Sequence, residues 1–386
     1  EFTFRRDGSS TFGEGNRWAN FPSVAVGWSF SEEPFIKRLT GGWLNWGKIR
    51  GSYGKSGQTF TSAYLAHGLM NIMDKSFFGK TGITTDKPVS PYLTWEKTRQ
   101  YDLGLDMDMF NYRLNVKLDY YYKYTSSLIY DIPIPGSLYA FGAQVENAME
   151  ISNEGLELEL QADILRESAV SWRMKFNMAR NWNRFEKSYS GKDVVDGDGT
   201  LLVAGRPLNG LYVWAHRGYY NSDAEVPRLY KIDGQEIYFN GVATNGISGA
   251  VGDYRLLDLD GDGNPDSYYA GSPLPLAHGG WVNELMWKNF DLNVLVNFTI
   301  GRKMINNRMG LGFSRQSEDG HLTKLFDYRK LRPWDGVNKK PNAPAWGNSL
   351  SMNTDSAIEK VHHLALKQIT LGYNLPDRIS KKAGLS

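Results

Sequence analysis

Arg113-Leu114-Asn115-Val116-Lys117-Leu118-Asp119-Tyr120-Tyr121-Tyr122-Lys123 alternates along its whole length. The odd positions are Arg113, Asn115, Lys117, Asp119, Tyr121 and Lys123; the even ones are Leu114, Val116, Leu118, Tyr120 and Tyr122. Successive side chains on a strand point to opposite faces, so this run makes a ribbon with one apolar face and one wet face. The same period of two recurs elsewhere. Leu103, Leu105, Met107 and Met109 alternate with Asp102, Gly104, Asp106 and Asp108. Leu156, Leu158 and Leu160 alternate with Glu157, Glu159 and Gln161. Trp172, Met174, Phe176 and Met178 alternate with Arg173, Lys175, Asn177 and Ala179. Phe290, Leu292, Val294, Val296, Phe298 and Ile300 alternate with Asp291, Asn293, Leu295, Asn297 and Thr299. None of these apolar-face positions is charged. A Lys or Arg at the midplane of a bilayer costs about 2–4 kcal/mol, which accounts for that exclusion.

A soluble half-buried sheet also alternates. Three features favour a membrane wall. The runs over 94–109 and 113–129 are far longer than the roughly 5–6 residues usual in globular strands, whereas a membrane strand needs roughly 9–11 for the hydrocarbon alone. The connections are unequal: Phe110-Asn111-Tyr112, Arg166-Glu167-Ser168-Ala169 and Trp287-Lys288-Asn289 are tight, while 55–92, 187–280 and 302–362 are long. Short turns at one end and long loops at the other characterise an outer-membrane barrel. Finally, Trp28, Phe30, Trp43, Trp46, Trp95, Phe110, Tyr112, Trp182, Trp287 and Phe290 fall at strand ends, where aromatic girdles form. The expected strands are 23–31, 43–54, 94–109, 113–129, 148–165, 170–186, 281–287, 290–300 and 363–374, roughly ten with the opening Phe2-Thr3-Phe4-Arg5. As an open sheet these would leave long unpaired edges. The expectation is therefore an all-β, transmembrane antiparallel β-barrel that is incomplete here.

Composition agrees. The chain has 386 residues, 41 of them glycine, with 13% aromatics. Both values suit many strands joined by turns. Hydrophobic residues make up 41% and mean hydropathy is −0.46. No run of 18 apolar residues offers a transmembrane helix. With 44 basic and 42 acidic residues the net charge is +2, which gives no electrostatic case for nucleic acid. Cysteine is absent, which excludes disulfides, thiolate metal sites and cysteine nucleophiles. A start at Glu1, already strand-like, leads to the expectation of a fragment or a mature piece.

Several motifs resemble one family. Arg5-Arg6-Asp7-Gly8-Ser9-Ser10-Thr11-Phe12-Gly13 followed by Phe21-Pro22-Ser23-Val24-Ala25-Val26-Gly27-Trp28 is similar to the mid-barrel signature of SusC-like and RagA-like TonB-dependent transporters. Glu32-Glu33-Pro34-Phe35, Lys48-Ile49-Arg50-Gly51-Ser52-Tyr53-Gly54, Leu93-Thr94-Trp95-Glu96-Lys97-Thr98, Asn153-Glu154-Gly155-Leu156-Glu157 and Leu371-Gly372-Tyr373-Asn374-Leu375-Pro376 continue it in the family's order. The resemblance covers nearly the whole chain. It implies that residues 1–386 are the C-terminal portion of such a barrel, about ten of 22 strands, with long extracellular loops. The plug domain, the TonB-contacting segment and the last strands then lie outside this sequence. It further implies the outer membrane of a Gram-negative bacterium of the Bacteroidetes, a SusD-like lipoprotein and TonB as partners, and import of glycans or peptides. A barrel in that membrane also meets membrane lipid or lipopolysaccharide. The alternative is a structural or docking barrel of a surface or secretion complex that transports nothing.

Candidate chemistry is sparse. Asp258, Asp260, Asp262, Asn264 and Asp266 crowd oxygen ligands around Gly263, as in the first nine positions of an EF-hand loop. Such a set suits calcium or magnesium, although Tyr269 stands where the bidentate glutamate belongs. Transporters resembling this one often carry a similar stretch in an outer loop. His362 and His363 are adjacent, so on a strand they face opposite ways and do not share a metal. Glu157 with Glu159, and Asp106 with Asp108, share strand faces as acid–base pairs do, yet those faces also carry Gln161, Lys175, Arg173 and Lys117. A wet, mixed-charge wall explains them better, and no catalytic residue is expected. Tyr212, Trp214, Tyr219, Tyr220, Tyr268 and Tyr269 enrich the long loops and are the candidate substrate contacts, since ring faces stack on sugars and peptide side chains. Packing of the loops on themselves is the equal alternative.

Overall fold

The computed structural model describes residues 1–59, 64–85, 88–136, 142–166, 168–195, 201–226, 228–230, 236–238, 251–257, 259, 266–306, 332–337, 340–345 and 354–376. Ten strands form one antiparallel sheet. They are β1 (Phe2–Gly8), β2 (Trp18–Trp28), β3 (Leu44–Gln58), β4 (Glu96–Met109), β5 (Leu114–Pro133), β6 (Ala143–Leu165), β7 (Val170–Lys187), β8 (Ala277–Trp287), β9 (Phe290–Ile305) and β10 (Ile358–Tyr373). Each pairs with the next in chain order, so the sheet is a plain meander. The chain groups into two compact units: Glu1–Leu208, Leu274–Ile300 and His362–Ser386 make the first, Asn209–Pro273 and Gly301–Val361 the second.

Register turns the sequence pattern into two surfaces. Met107, Val116, Leu160, Phe176, Trp281 and Val296 stand directly opposite one another across β4 to β9. One residue along, Lys48, Asp106, Lys117, Glu159, Asn177, Gly280 and Asn297 form a polar rung across β3 to β9. The charges alternate in sign along its first four members, and opposite charges set directly across a sheet each stabilise it by roughly 0.2–1 kcal/mol. On the apolar side Val26 is 69% exposed and Leu103 57%, part of a row of exposed apolar residues that marks an interaction surface. Asn283 lies on this side and accepts a hydrogen bond from Trp172 Nε1 at 3.1 Å. The apolar surface ends in aromatic rows. Near the tight turns these are Trp43 with Phe110 and Phe290 with Tyr373, at centroid distances of 6.2 and 4.7 Å. Toward the long connections they are Tyr53, Tyr101 and Tyr122, at 4.8 and 6.4 Å. On the same rung Trp182 follows beyond Glu154, and Arg180 lays its guanidinium over it at 4.5 Å.

The strands depart from expectation where local chemistry breaks the period. The expected strand 23–31 runs instead from Trp18 to Trp28 and is followed by a short α-helix, α1 (Pro34–Thr40), with Pro34 at its start and Gly41 left-handed at φ 55° as its stop. β5 and β6 continue to Pro133 and from Ala143, past the expected ends, because register shifts around Thr125 and Leu128 interrupt the alternation, with Ser127 at φ 59°. β8 begins at Ala277, not 281. Its Gly279 reads as a loop residue, yet it is required in the sheet: a Cβ there would lie 2.0 Å from the Asn177 carbonyl oxygen. The tight β4–β5 turn is built by Phe110, Asn111 and Tyr112 at φ 53°, 56° and 58°. Trp95 is not part of a girdle; it is 6% exposed and packs with Phe12, Ala19, Phe21 and Leu93. Trp46 stands opposite Asp108, on the polar face. A second cluster, Met149, Phe185, Val194 and Leu202, likewise sits where the long connections return to the strands.

Two glycines let long side chains lie flat along the polar face. Arg50 on β3 crosses Gly104 on β4 and meets Asp119 on β5, besides pairing with Asp106 at 3.0 Å. Tyr121 on β5 crosses Gly155 on β6 and donates to Asn181 Oδ1 on β7 at 2.7 Å. A Cβ at Gly104 would lie 2.4 Å from the Arg50 guanidinium, and one at Gly155 would lie 2.5 Å from the Tyr121 ring.

Two outcomes follow for the full-length receptor unfolded by urea in lipid vesicles. Leu118→Arg, with Leu105 and Leu158 as its neighbours across the apolar face, costs about 2–4 kcal/mol, whereas Lys117→Gln on the opposite face costs under about 1 kcal/mol; equal costs contradict the assignment of the faces. Gly155→Val costs about 1–3 kcal/mol by overpacking, and prior removal of the ring by Tyr121→Ala recovers part of it. An unchanged penalty in the Tyr121→Ala background contradicts the crossing.

Candidate functional site

The polar face of the sheet is the first candidate surface. Its ions are paired across strands: Arg173 with Asp163 at 2.6 Å, Lys175 with Glu284 at 2.7 Å, Lys117 with Glu159 at 3.8 Å, and Arg50 with Asp106 and Asp119. Ser52 Oγ donates to Asp102 at 2.8 Å, and Asn115 Nδ2 to Asp108 at 2.8 Å. All are partly solvated, so each pair contributes about 0–1 kcal/mol. Their consequence is chemical: the wall presents many donors and acceptors, and Arg50, Lys117, Arg173 and Lys175 are already paired across strands. The carboxylates singled out by their spacing are bound into this pattern. Asp106 faces Arg50, Asp108 faces Asn115 and Glu159 faces Lys117, while Glu157 stands opposite Asp119 and Ala179. Asp106, Asp108 and Glu159 are each held by a cation or an amide, and among the described residues neither spaced pair shares a hydrogen bond that would couple it for proton transfer. His362 and His363 are successive exposed residues of β10 and point to opposite sides.

The second unit holds the aromatic candidates. Residues Leu211–Trp214 pair with Ser267–Gly271, which sets Tyr212 opposite Tyr269, their rings 5.7 Å apart. Residues His216–Tyr219 pair with Tyr254–Leu256, and Tyr219 stacks on Tyr254 at 5.4 Å. Tyr220 is 6% exposed and joined through its backbone to Gly252 and Asp253, so it serves the packing of this unit. Burial pushes the phenols of Tyr219, Tyr220 and Tyr254 above their usual range. Trp214 is half-buried and bridges to Thr354, which is fully buried. Tyr268 is exposed and donates to Asp355 Oδ2 at 3.2 Å. Its phenol too is raised, first by desolvation and then by Asp355.

Sequence reasoning missed what joins these rings. His216 Nδ1 bonds Asp355, Ser356 Oγ donates to the Tyr254 hydroxyl at 3.0 Å, and the His216 ring meets Tyr254 edge-on at 4.7 Å. His216 and Asp355 are 139 positions apart in the chain, and neither lies in an alternating run, so no local signal connects them. Of the acidic loop, Asp258, Asp260, Asp262 and Asn264 lie outside the described residues. Asp266 is described: its carboxylate accepts the Leu259 N–H, and its own N–H donates to the Leu257 carbonyl at 2.9 Å. The loop base is thus closed by the aspartate at its end.

Comparison with known proteins agrees with this architecture. The family described as TonB dependent receptor-like, beta-barrel matches residues 2–269. The TonB-dependent receptor P26 of Formosa agariphila is 31% identical over 96% of this chain and 37% of its own length. The TonB-dependent receptor SusC of Bacteroides thetaiotaomicron is 27% identical over 97% of this chain and 36% of its own. The RagAB peptide transporter structure superposes with a TM-score of 0.76 at 24% identity, covering 98% of this chain and 39% of that one, a likeness of fold. The chain therefore spans under two fifths of the length of these relatives. Its meander, with apolar and polar faces, tight turns at one end and long connections at the other, is a section of barrel wall, and the chain belongs to the TonB-dependent receptor-like β-barrel family of the outer membrane.

Proposed function

We propose that the receptor containing this chain imports oligosaccharides or oligopeptides across the outer membrane, with energy delivered through TonB and with a SusD-like surface lipoprotein as partner. The observation that carries this reading is the polar face, dense in hydrogen-bonding groups and with most of its cations paired across strands. Such a wall offers many hydrogen bonds and few unpaired cations among the described residues. That suits long, polar, nearly uncharged cargo and suits a strongly anionic chelate poorly. The relatives point the same way: one is SusC, and the solved structure is of a peptide transporter. With Tyr220 buried, Tyr212 and Tyr269 set against each other and Tyr219 stacked on Tyr254, the rings of Trp214 and Tyr268 are the contacts proposed for cargo.

For the loop 258–266 we propose a bound calcium or magnesium ion, supported by the ligand spacing and by the Asp266 closure at its base.

The transport reading is tested with the full-length receptor and its lipoprotein in TonB-energised cells. Labelled oligosaccharide or oligopeptide accumulates, and accumulation stops when TonB is removed; no TonB-dependent uptake of either class overturns the reading. Tyr268→Ala weakens cargo binding about two- to twelvefold through loss of one ring contact. For the ion, calorimetric titration of the receptor with calcium gives heat that Asp258→Asn and Asp262→Asn abolish; heat that survives both substitutions, or none at all, rules the site out.

A further inference from the structure

The sheet is split at one place. β2 and β3 pair from Trp28 and Ile49 to Ser23 and Gly54 and no further. Beyond that point β2 continues to Trp18 paired with β1, while β3 continues to Gln58 paired with β4. The gap is a cleft of about 320 Å³, with Trp18 and Asn20 on one side, Lys55, Lys97 and Arg99 on the other, and Trp95 behind. Its position is fixed by register. Lys55 stands directly opposite Arg99, one rung past the Tyr53–Tyr101–Tyr122 row on the same face, and Lys97 lies one rung further out. Arg6 adds a fourth cation, its guanidinium 5.3 Å from the Trp18 ring centroid. The cations are exposed, and among the described residues none of Lys55, Lys97 and Arg99 has a carboxylate within ion-pair distance. The nearby Glu96 is turned away and accepts the Ile129 N–H at 2.9 Å. Further round the same face, Glu154 is taken by the Tyr120 hydroxyl at 3.1 Å.

We propose that this cleft binds the phosphorylated sugar headgroup of an outer-leaflet glycolipid on the outside of the barrel. Each part of such a lipid meets a matching surface. Acyl chains lie on the exposed apolar face below, where Val26 and Leu103 project. A sugar ring stacks on the exposed Trp18 indole. The phosphate oxygens, just above the aromatic row, meet three cations that no carboxylate among the described residues claims. Basic side chains at a membrane surface attract anionic headgroups by about 1 kcal/mol each, roughly fivefold in affinity per charge. Free phosphate shares only the charge and uses neither the ring nor the apolar face, so the cleft is assigned to the lipid. The assignment is independent of the cargo proposed above.

The test is titration of the full-length receptor in detergent with bisphosphorylated lipid A and with the same lipid stripped of phosphate, read by native mass spectrometry. The phosphorylated form binds at least tenfold more tightly, and its affinity falls as salt rises. Lys55→Gln, Lys97→Gln and Arg99→Gln combined weaken it about a hundredfold, to the level of the stripped lipid. Lys123→Gln, on the opposite face, leaves it unchanged. Folding of each variant is checked by heat-modifiable migration of the barrel. Equal binding of both lipids, a triple variant that binds like the wild type, or displacement of lipid by millimolar inorganic phosphate overturns the proposal. If the triple variant does not fold, wild-type binding that ignores salt does so as well.

Discussion

Everything in this sheet depends on strand register. A slip of one residue between β5 and β6 would set Lys117 among Leu158 and Leu160 and turn Leu118 to the wet side, because side chains change face at every step. Burial alone does not hold the register, since among the described residues of the first unit no second layer covers either face. It is held by agreement across many strands: the apolar rung from Met107 to Val296 and the polar rung from Lys48 to Asn297 are consistent only in one alignment. The solvent difference between the two sides then penalises every other alignment at several positions at once.

This inverts the usual place of a core. The densest apolar packing is not between layers but at the end of the sheet that bears the long connections, where Phe12, Phe21, Leu93 and Trp95 form one cluster and Met149, Phe185, Val194 and Leu202 another. Those clusters fasten returning loops to the strands at that end. The tight-turn end is pinned differently: Asn289 Nδ2 donates to the Asn374 carbonyl at 2.7 Å, and Asn374 N–H returns a bond to the Asn289 carbonyl at 2.8 Å.

The strands were legible because the membrane imposes a period of two on whichever residues cross it; residues 113–122 and 290–300 carry that period almost without interruption. The limits of legibility have physical causes. Ser127 and the register shifts beside it break the phase, which hid the far ends of β5 and β6. Gly279 looks like a turn residue until the approach of the Asn177 carbonyl shows why nothing larger fits. Helix α1 had its Pro34 and Gly41 signals, but seven residues are too few to show a helical period. Trp95 could not be told from a girdle aromatic, since burial by a distant loop leaves no local mark. The candidate contacts were legible only as ring-rich loops. Which rings are spent on packing depends on His216, Asp355 and Ser356, brought together from far apart in the chain.

The crossing of Gly104 by Arg50 and of Gly155 by Tyr121 bears on the bore of the barrel. Arginine and tyrosine are long, and if they stood upright they would take several ångströms of radius from the passage they line. Laid along the wall over a residue with no side chain, they keep their hydrogen-bonding groups at the surface and leave the width open. In this wall glycine works as clearance: it decides how much of the cross-section the protein's own side chains fill.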